Sequence, residues 1–165
     1  MANAFSAFLD NDPVITAQES FKAMLKEDIA PELREIGLKG SGQVYELPDA
    51  AFWALIGFQK SVRNDRNRVS FTLNLSVTRR EFWAQRHTED PGTYSVRPRA
   101  NVDWGALIPA SEYWFSRIGT FLPGGLDTWW EIAADEPTDL VAAEVTRVIR
   151  EYGLPALRER MSETE

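Results

Sequence analysis

The chain has no cysteine and a single histidine among its 165 residues. Without cysteine there can be no disulfide, no thiolate nucleophile and no cysteine-ligated zinc. With His87 alone, multi-histidine metal sites are excluded, and any nucleophilic triad would have to use that residue. His87 closes a short helical pattern beside Thr88, Glu89 and Asp90, where an exposed side chain is expected, and no G-x-S-x-G elbow occurs. There is no P-loop and no dinucleotide fingerprint: "GSG" at 40–42 opens no helix, and "PGG" at 123–125 reads as a hairpin turn. No run of about 18 apolar residues is present, so no transmembrane helix is expected. "MANAFSAFLDNDP" lacks both a basic n-region and a sustained apolar stretch, so no signal peptide is expected either. These absences point to a cytoplasmic protein with no catalytic motif, no metal and no cofactor.

Two remaining patterns for metal chemistry fail on their own terms. Asp49 before a strand that ends Phe58-Gln59-Lys60 has the outline of a metal-dependent nuclease, but the second carboxylate such a site needs falls at Phe58. Asp135, Glu136 and Asp139 gather at a helix start, where the helix dipole stabilises acids without any metal.

The net charge is −7 and unevenly spread. Residues 60–99 hold nine Lys/Arg (60, 63, 66, 68, 79, 80, 86, 97, 99) against four acids (65, 81, 89, 90), a local +5 that leaves −12 for the rest. A basic middle in an acidic chain is either an anion-binding surface or a hairpin tip and loops kept soluble by arginine, and the second reading is preferred. The overall negative charge argues against broad affinity for nucleic acid.

What is present is a clear alternation. In "VSFTLNLSV" (69–77), Val69, Phe71, Leu73, Leu75 and Val77 point one way, and Ser70, Thr72, Asn74 and Ser76 the other. That is a β-strand with one buried face and one neutral polar face. The polar row can look at water, at a ligand or at another part of the chain.

Thr16 and Glu19 have capping-box spacing, and Phe21, Leu25, Ile29, Leu33 and Ile36 follow as one helical stripe. Pro31 predicts a kink or restart, and Gly37 a left-handed stop. "LKGSG" reads as a loop, "QVYEL" as a strand, "PDA" as a turn and "AFWALIGFQKSV" as a second strand. "RNDRN" then makes a hairpin into the strand at 69–77. Thr78 and Glu81 repeat the capping spacing before a short helix "RREFWAQRH", and residues 88–101 form an irregular loop. "VDWGALIP" is strand or extended, "EYWFSRIGTFL" and "TWWEIA" are strands, and "DEPTDLVAAEVTRVIREYG" is a long helix ended by Gly153 and Pro155, after which "ALRERM" continues as a short turn of helix. The order predicts an α+β fold: an antiparallel sheet of about five to six strands with N- and C-terminal helices packed on one face. Residues 1–15 form an N-terminal extension, 16–161 one domain and 162–165 a C-terminal tail.

The segments "FKAMLKEDIAPELREIGLKGSG", "FWALIGFQKSVRNDRNRVSFTLNLSV", "RIGTFLPGGLDTWWEI" and "EYGLPAL" together resemble the bacterial domain of unknown function 4304 family. The similarity runs from about residue 17 to about residue 158. The resemblance supports the boundaries and implies no activity and no catalytic residues.

Adjacent strand residues face opposite ways, so Trp129 and Trp130 cannot both enter one core face. Arg117 sits among Tyr113, Trp114, Phe115 and Ile118, where a charge must be paired or stacked, with Glu131 or Glu112 as the expected carboxylate. The polar sheet face is therefore expected to carry Arg117 and one of Trp129 or Trp130 beside Thr72 and Asn74, with Arg66 and Arg68 on the basic hairpin. The plain alternative is a solvated sheet face. The leading functional expectation is a non-enzymatic cytoplasmic binding domain that holds a protein partner on this face, an immunity-type protein neutralising a toxin being one concrete form. The alternative is a small-molecule binder or enzyme with an Arg117/tryptophan pocket for an anionic ligand.

Overall fold

The computed structural model describes residues 15–163. The expected N-terminal extension, apart from Ile15, and the last two residues of the expected tail lie outside the described residues.

The strand read first from the sequence is the centre of the molecule. It spans Arg68–Arg79 (β4) and belongs to a six-stranded antiparallel sheet with Lys39–Ser41 (β1), Val44–Glu46 (β2), Phe52–Lys60 (β3), Tyr113–Arg117 (β5) and Trp130–Ala133 (β6). One side of β4 pairs along its length with β3, from Phe52↔Arg79 to Lys60↔Phe71. The other side is shared: β5 covers Asn74–Thr78 and β6 covers Arg68–Phe71. β5 and β6 thus run in the same direction, in line, as one strand interrupted by an excursion of residues 118–129. "LKGSG" is not a loop. Its Lys39–Ser41 pairs with β2 around Gly42, whose φ of +60 gives the tight turn that glycine permits.

The apolar face of β4 is buried by two helical runs. The first is Ala17–Met24 (α1), a π-helical turn at Leu25–Ile29, and Ala30–Glu35 (α2). Thr16 and Glu19 make both bonds of the capping box at its start. The second is Asp139–Val148 (α4), a π-helical turn at Ile149–Gly153, and Leu154–Ser162 (α5). Each π turn ends two residues before a proline, Pro31 in one run and Pro155 in the other. A proline has no N–H to donate and its ring crowds the preceding turn, and a widened turn at that point relieves the crowding without ending the helix. So Pro31 marks a local break, as expected, whereas Gly153 and Pro155 do not end the second helix. Gly153 keeps helical angles (φ −67) and the run continues to Ser162.

Aromatic rings cross the sheet beneath these helices. Tyr45, Phe58, Phe71 and Trp130 follow one another at centroid distances of 5.9, 6.0 and 5.8 Å, and Phe21 of α1 meets Phe71 at 5.1 Å. Leu73, Leu25 and Ile29 are buried in the same core. Among the described residues no helix is long and apolar enough to cross a membrane.

Candidate functional site

The neutral polar row of β4 faces the protein itself. Residues 90–112 and the end of the 118–129 excursion, at Thr128, fold over that side of the sheet, and Thr72, Asn74, Ser76 and Thr78 are buried there. Their hydrogen bonds explain why the row carries hydroxyls and an amide but no charge. The Thr72 hydroxyl donates to the Thr128 carbonyl (2.6 Å) and that of Thr78 to the Glu112 carbonyl (2.8 Å). The Asn74 amide donates to Gln59 (2.7 Å) and to Asn101 (3.1 Å). Neutral donors are satisfied by backbone carbonyls and side-chain amide oxygens, whereas a buried charge would need a counter-ion. Gly57 makes the close approach possible, because a Cβ there would stand 2.1 Å from Asn101 Oδ1. Thr72 and Asn74 are thus fully enclosed and correct the expectation that they form a contact surface. Thr78 is a strand residue bonded to the cover rather than a helix cap, and Arg79 takes the N-cap position of Arg80–Glu89 (α3).

The cover has its own small core. Trp83 of α3 meets Tyr94 and Trp104 at 5.4 Å each, with Ile108 and Tyr113 beside them. Trp104 and Ile108 lie in "VDWGALIP", which forms turns rather than a strand. Tyr113 donates to the Val102 carbonyl (2.9 Å), and burial pushes its phenol well above the usual tyrosine range. His87 is half-buried rather than exposed, its Nδ1–H donating to the Tyr94 carbonyl (2.6 Å). The histidine ties α3 to the loop, so His87→Ala should lower stability by about 1 kcal/mol, readable as a small fall in melting temperature.

Much of the basic middle is absorbed by this architecture. Arg80 and Arg97 both pair with Glu46 (3.4 and 3.3 Å) and both lie over the Trp53 ring (3.7 and 5.0 Å). Arg68 pairs with Glu131 across β4 and β6, and the Arg66 side chain is exposed on the hairpin.

At the uncovered end of the sheet lies the remainder of the expected surface. Trp130 does not contribute. It stacks on Phe71 in the helix-side core, because its register partner is Phe71 and residues opposed across a ladder share a face. Trp129 turns outward and is 37% exposed. Its indole N–H donates to Asp127 (2.9 Å), and the Arg117 guanidinium lies 5.2 Å from its ring centre. Arg117 also donates to both carboxylate oxygens of Asp127 (3.2 and 3.1 Å). The carboxylate paired with Arg117 is therefore Asp127, and neither Glu131 nor Glu112. Asp127 was not legible as a partner because it lies in the irregular excursion, ten residues on, where no periodicity assigns a direction. Beside the trio is an open hollow of about 440 Å³ lined by Arg117, Thr120, Gly125 and Asp127.

Gly119 holds the excursion in place. A Cβ there would come within 2.1 Å of the Leu126 carbonyl, 2.9 Å of Thr128 N and 3.0 Å of Asp127 Cα. All three are backbone atoms, so Gly119→Ala must push the returning chain away. We expect it to cost about 1–3 kcal/mol, as overpacking does, and to shift the emission of Trp129.

Among the described residues no group of three or more His, Asp or Glu is placed to hold a metal ion. A family model described as "Domain of unknown function (DUF4304)" matches residues 29–159. No curated protein and no solved structure matches the chain.

Proposed function

The chain belongs to the domain of unknown function 4304 family, and from the surface this fold leaves open we propose that it is a non-enzymatic cytoplasmic binding domain that holds a protein partner. The observation that carries the reading is the fixed outward position of Trp129. Tryptophan and arginine supply most of the strong anchors in protein interfaces, and an anchor already held in place loses less freedom on binding. Here Asp127 holds both the indole and the guanidinium, and Leu126, 76% exposed, adds apolar surface beside them. Arg68 and Glu131, paired across β4 and β6, extend the patch along the sheet. An immunity-type protein capping a toxin is the concrete form of this proposal, supported by the chain's small size and acidity.

An anionic small molecule at Arg117 has less support. One terminal nitrogen of Arg117 already engages both carboxylate oxygens of Asp127, and that negative charge beside the guanidinium repels an incoming anion.

The test is a pair of variants measured for binding and for melting. Trp129→Ala should weaken a partner captured by pull-down by about 2 kcal/mol or more. Arg117→Ala should also weaken binding while moving the melting temperature little, since partly exposed ion pairs contribute only about 0–1 kcal/mol. Binding of the partner that survives both changes overturns the proposal. Binding lost only in proportion to unfolding assigns the trio a structural role.

A further inference from the structure

The surface around Trp129 carries two ion pairs and no surplus charge. Arg117 is matched by Asp127 and Arg68 by Glu131, in a chain whose net charge is −7. The exposed side chains beside the first pair, Leu126 and Trp129, are apolar. A partner attracted chiefly by the acidity of this chain would find no unmatched acid here.

The guanidinium itself is only partly used. A single terminal nitrogen of Arg117, Nη1, makes both contacts with Asp127. Arginine has five N–H donors, and among the described residues no hydrogen bond or ion pair goes to Nε or Nη2 of Arg117. Its half-buried side chain lines the open hollow together with the exposed Thr120 and Gly125.

Resting on the reading of this trio as a partner surface, we infer that the partner is recognised through an uncharged, carbonyl-bearing segment. A peptide or carboxamide oxygen enters the hollow and accepts from the spare N–H groups of Arg117, while a neighbouring apolar side chain lies on Trp129 and Leu126. Asp127 sets this choice. Its carboxylate repels an anion and the guanidinium repels a cation, so a neutral acceptor gains the hydrogen bond without a like-charge contact. The arrangement exists before binding: Gly119 admits the returning backbone at Asp127, and Asp127 holds both Arg117 and the indole, so little freedom is lost when a partner arrives.

Three probes share one apolar body and differ in charge: N-acetyl-leucinamide is neutral, N-acetyl-leucine anionic and leucinamide cationic. Titration followed by NMR at the Trp129 indole N–H and the Arg117 Nε–H should give saturable shifts with the neutral probe. Either charged probe should bind at least about threefold more weakly. Raising sodium chloride from about 50 mM to about 500 mM should change the neutral probe's affinity by less than about twofold, since there is no net charge to screen. D127N leaves Arg117 unbalanced and should reverse the order, so that N-acetyl-leucine binds more tightly than N-acetyl-leucinamide. The inference is overturned if the neutral probe gives no saturable shift, if the parent binds a charged probe as tightly, or if D127N keeps the parent's order. A pulled-down partner lost in Trp129→Ala but also lost on adding salt overturns this inference alone and leaves the partner surface in place.

Discussion

Replacing Leu73 by alanine is expected to destabilise the protein by about 2–5 kcal/mol, the range for a large-to-small change in a packed core. Leu73 has no exposed surface and lies opposite Phe58 in the middle of the central strand. Its surroundings are poorly able to collapse into the space. β3 holds one side of β4 at this point, and the helical runs packed above are fixed by Phe21, Leu25, Ile29 and Val145 in the same core. Ile118, buried where the interrupted strand leaves the ladder, belongs to that core as well. The denaturant midpoint should fall with an unchanged slope, since the exposed area on unfolding is nearly the same. A Leu73→Ala variant that melts like the parent contradicts the burial of this face.

Trp83→Ala should cost a similar amount, about 3–5 kcal/mol, but through a different failure. Trp83 is the centre of the small core under the cover, with Tyr94 and Trp104 on its ring and its indole N–H donating to the Ser95 carbonyl (2.8 Å). That core shares no buried residue with the one on the helix side. Its loss should release residues 90–112 while leaving the sheet and helices assembled. Water can replace the carbonyls that Thr78 bonds, so the uncovered row is not left with unsatisfied donors. Limited proteolysis should therefore cut first within 90–112, with far-ultraviolet dichroism nearly unchanged. Cleavage spread evenly over the chain would mean that the two cores unfold as one.

The parts of the fold visible in the sequence are those with a short repeat. Period-two alternation assigned the faces of β4, and helical spacing placed Phe21, Leu25, Ile29 and Leu33 on one stripe. The misread parts are where the backbone departs from a repeat. β1 has three residues, one of them glycine, too few to alternate. Pro155 reads as a stop because a standard helix cannot accommodate it, and a widened turn is not visible in residue types. The cover is irregular from residue 90 to 112, so nothing in its spacing aims it at the sheet. Two compositional signs did point there: the complete lack of charge in the row Ser70–Ser76, and Tyr94, Trp104 and Ile108 in a stretch without periodicity. Alternation also required Trp129 and Trp130 to diverge. Which one turned inward depended on the pairing with Phe71, and register across a sheet is not written in either strand alone.

The interrupted strand has a consequence for how copies of this protein behave at high concentration. A sheet's outermost strands present unpaired backbone groups that can template another chain, and long regular ones invite aggregation. Here one margin is β1, only three residues long, and the other is split between β5 and β6, of five and four residues, with residues 118–129 looping out between them. Neither margin offers an uninterrupted ladder to a second molecule. Edge-to-edge pairing between copies is thus disfavoured by the geometry of the sheet, and an engineered shortening of 118–129 that joined β5 to β6 would create the continuous, sticky border the natural fold avoids.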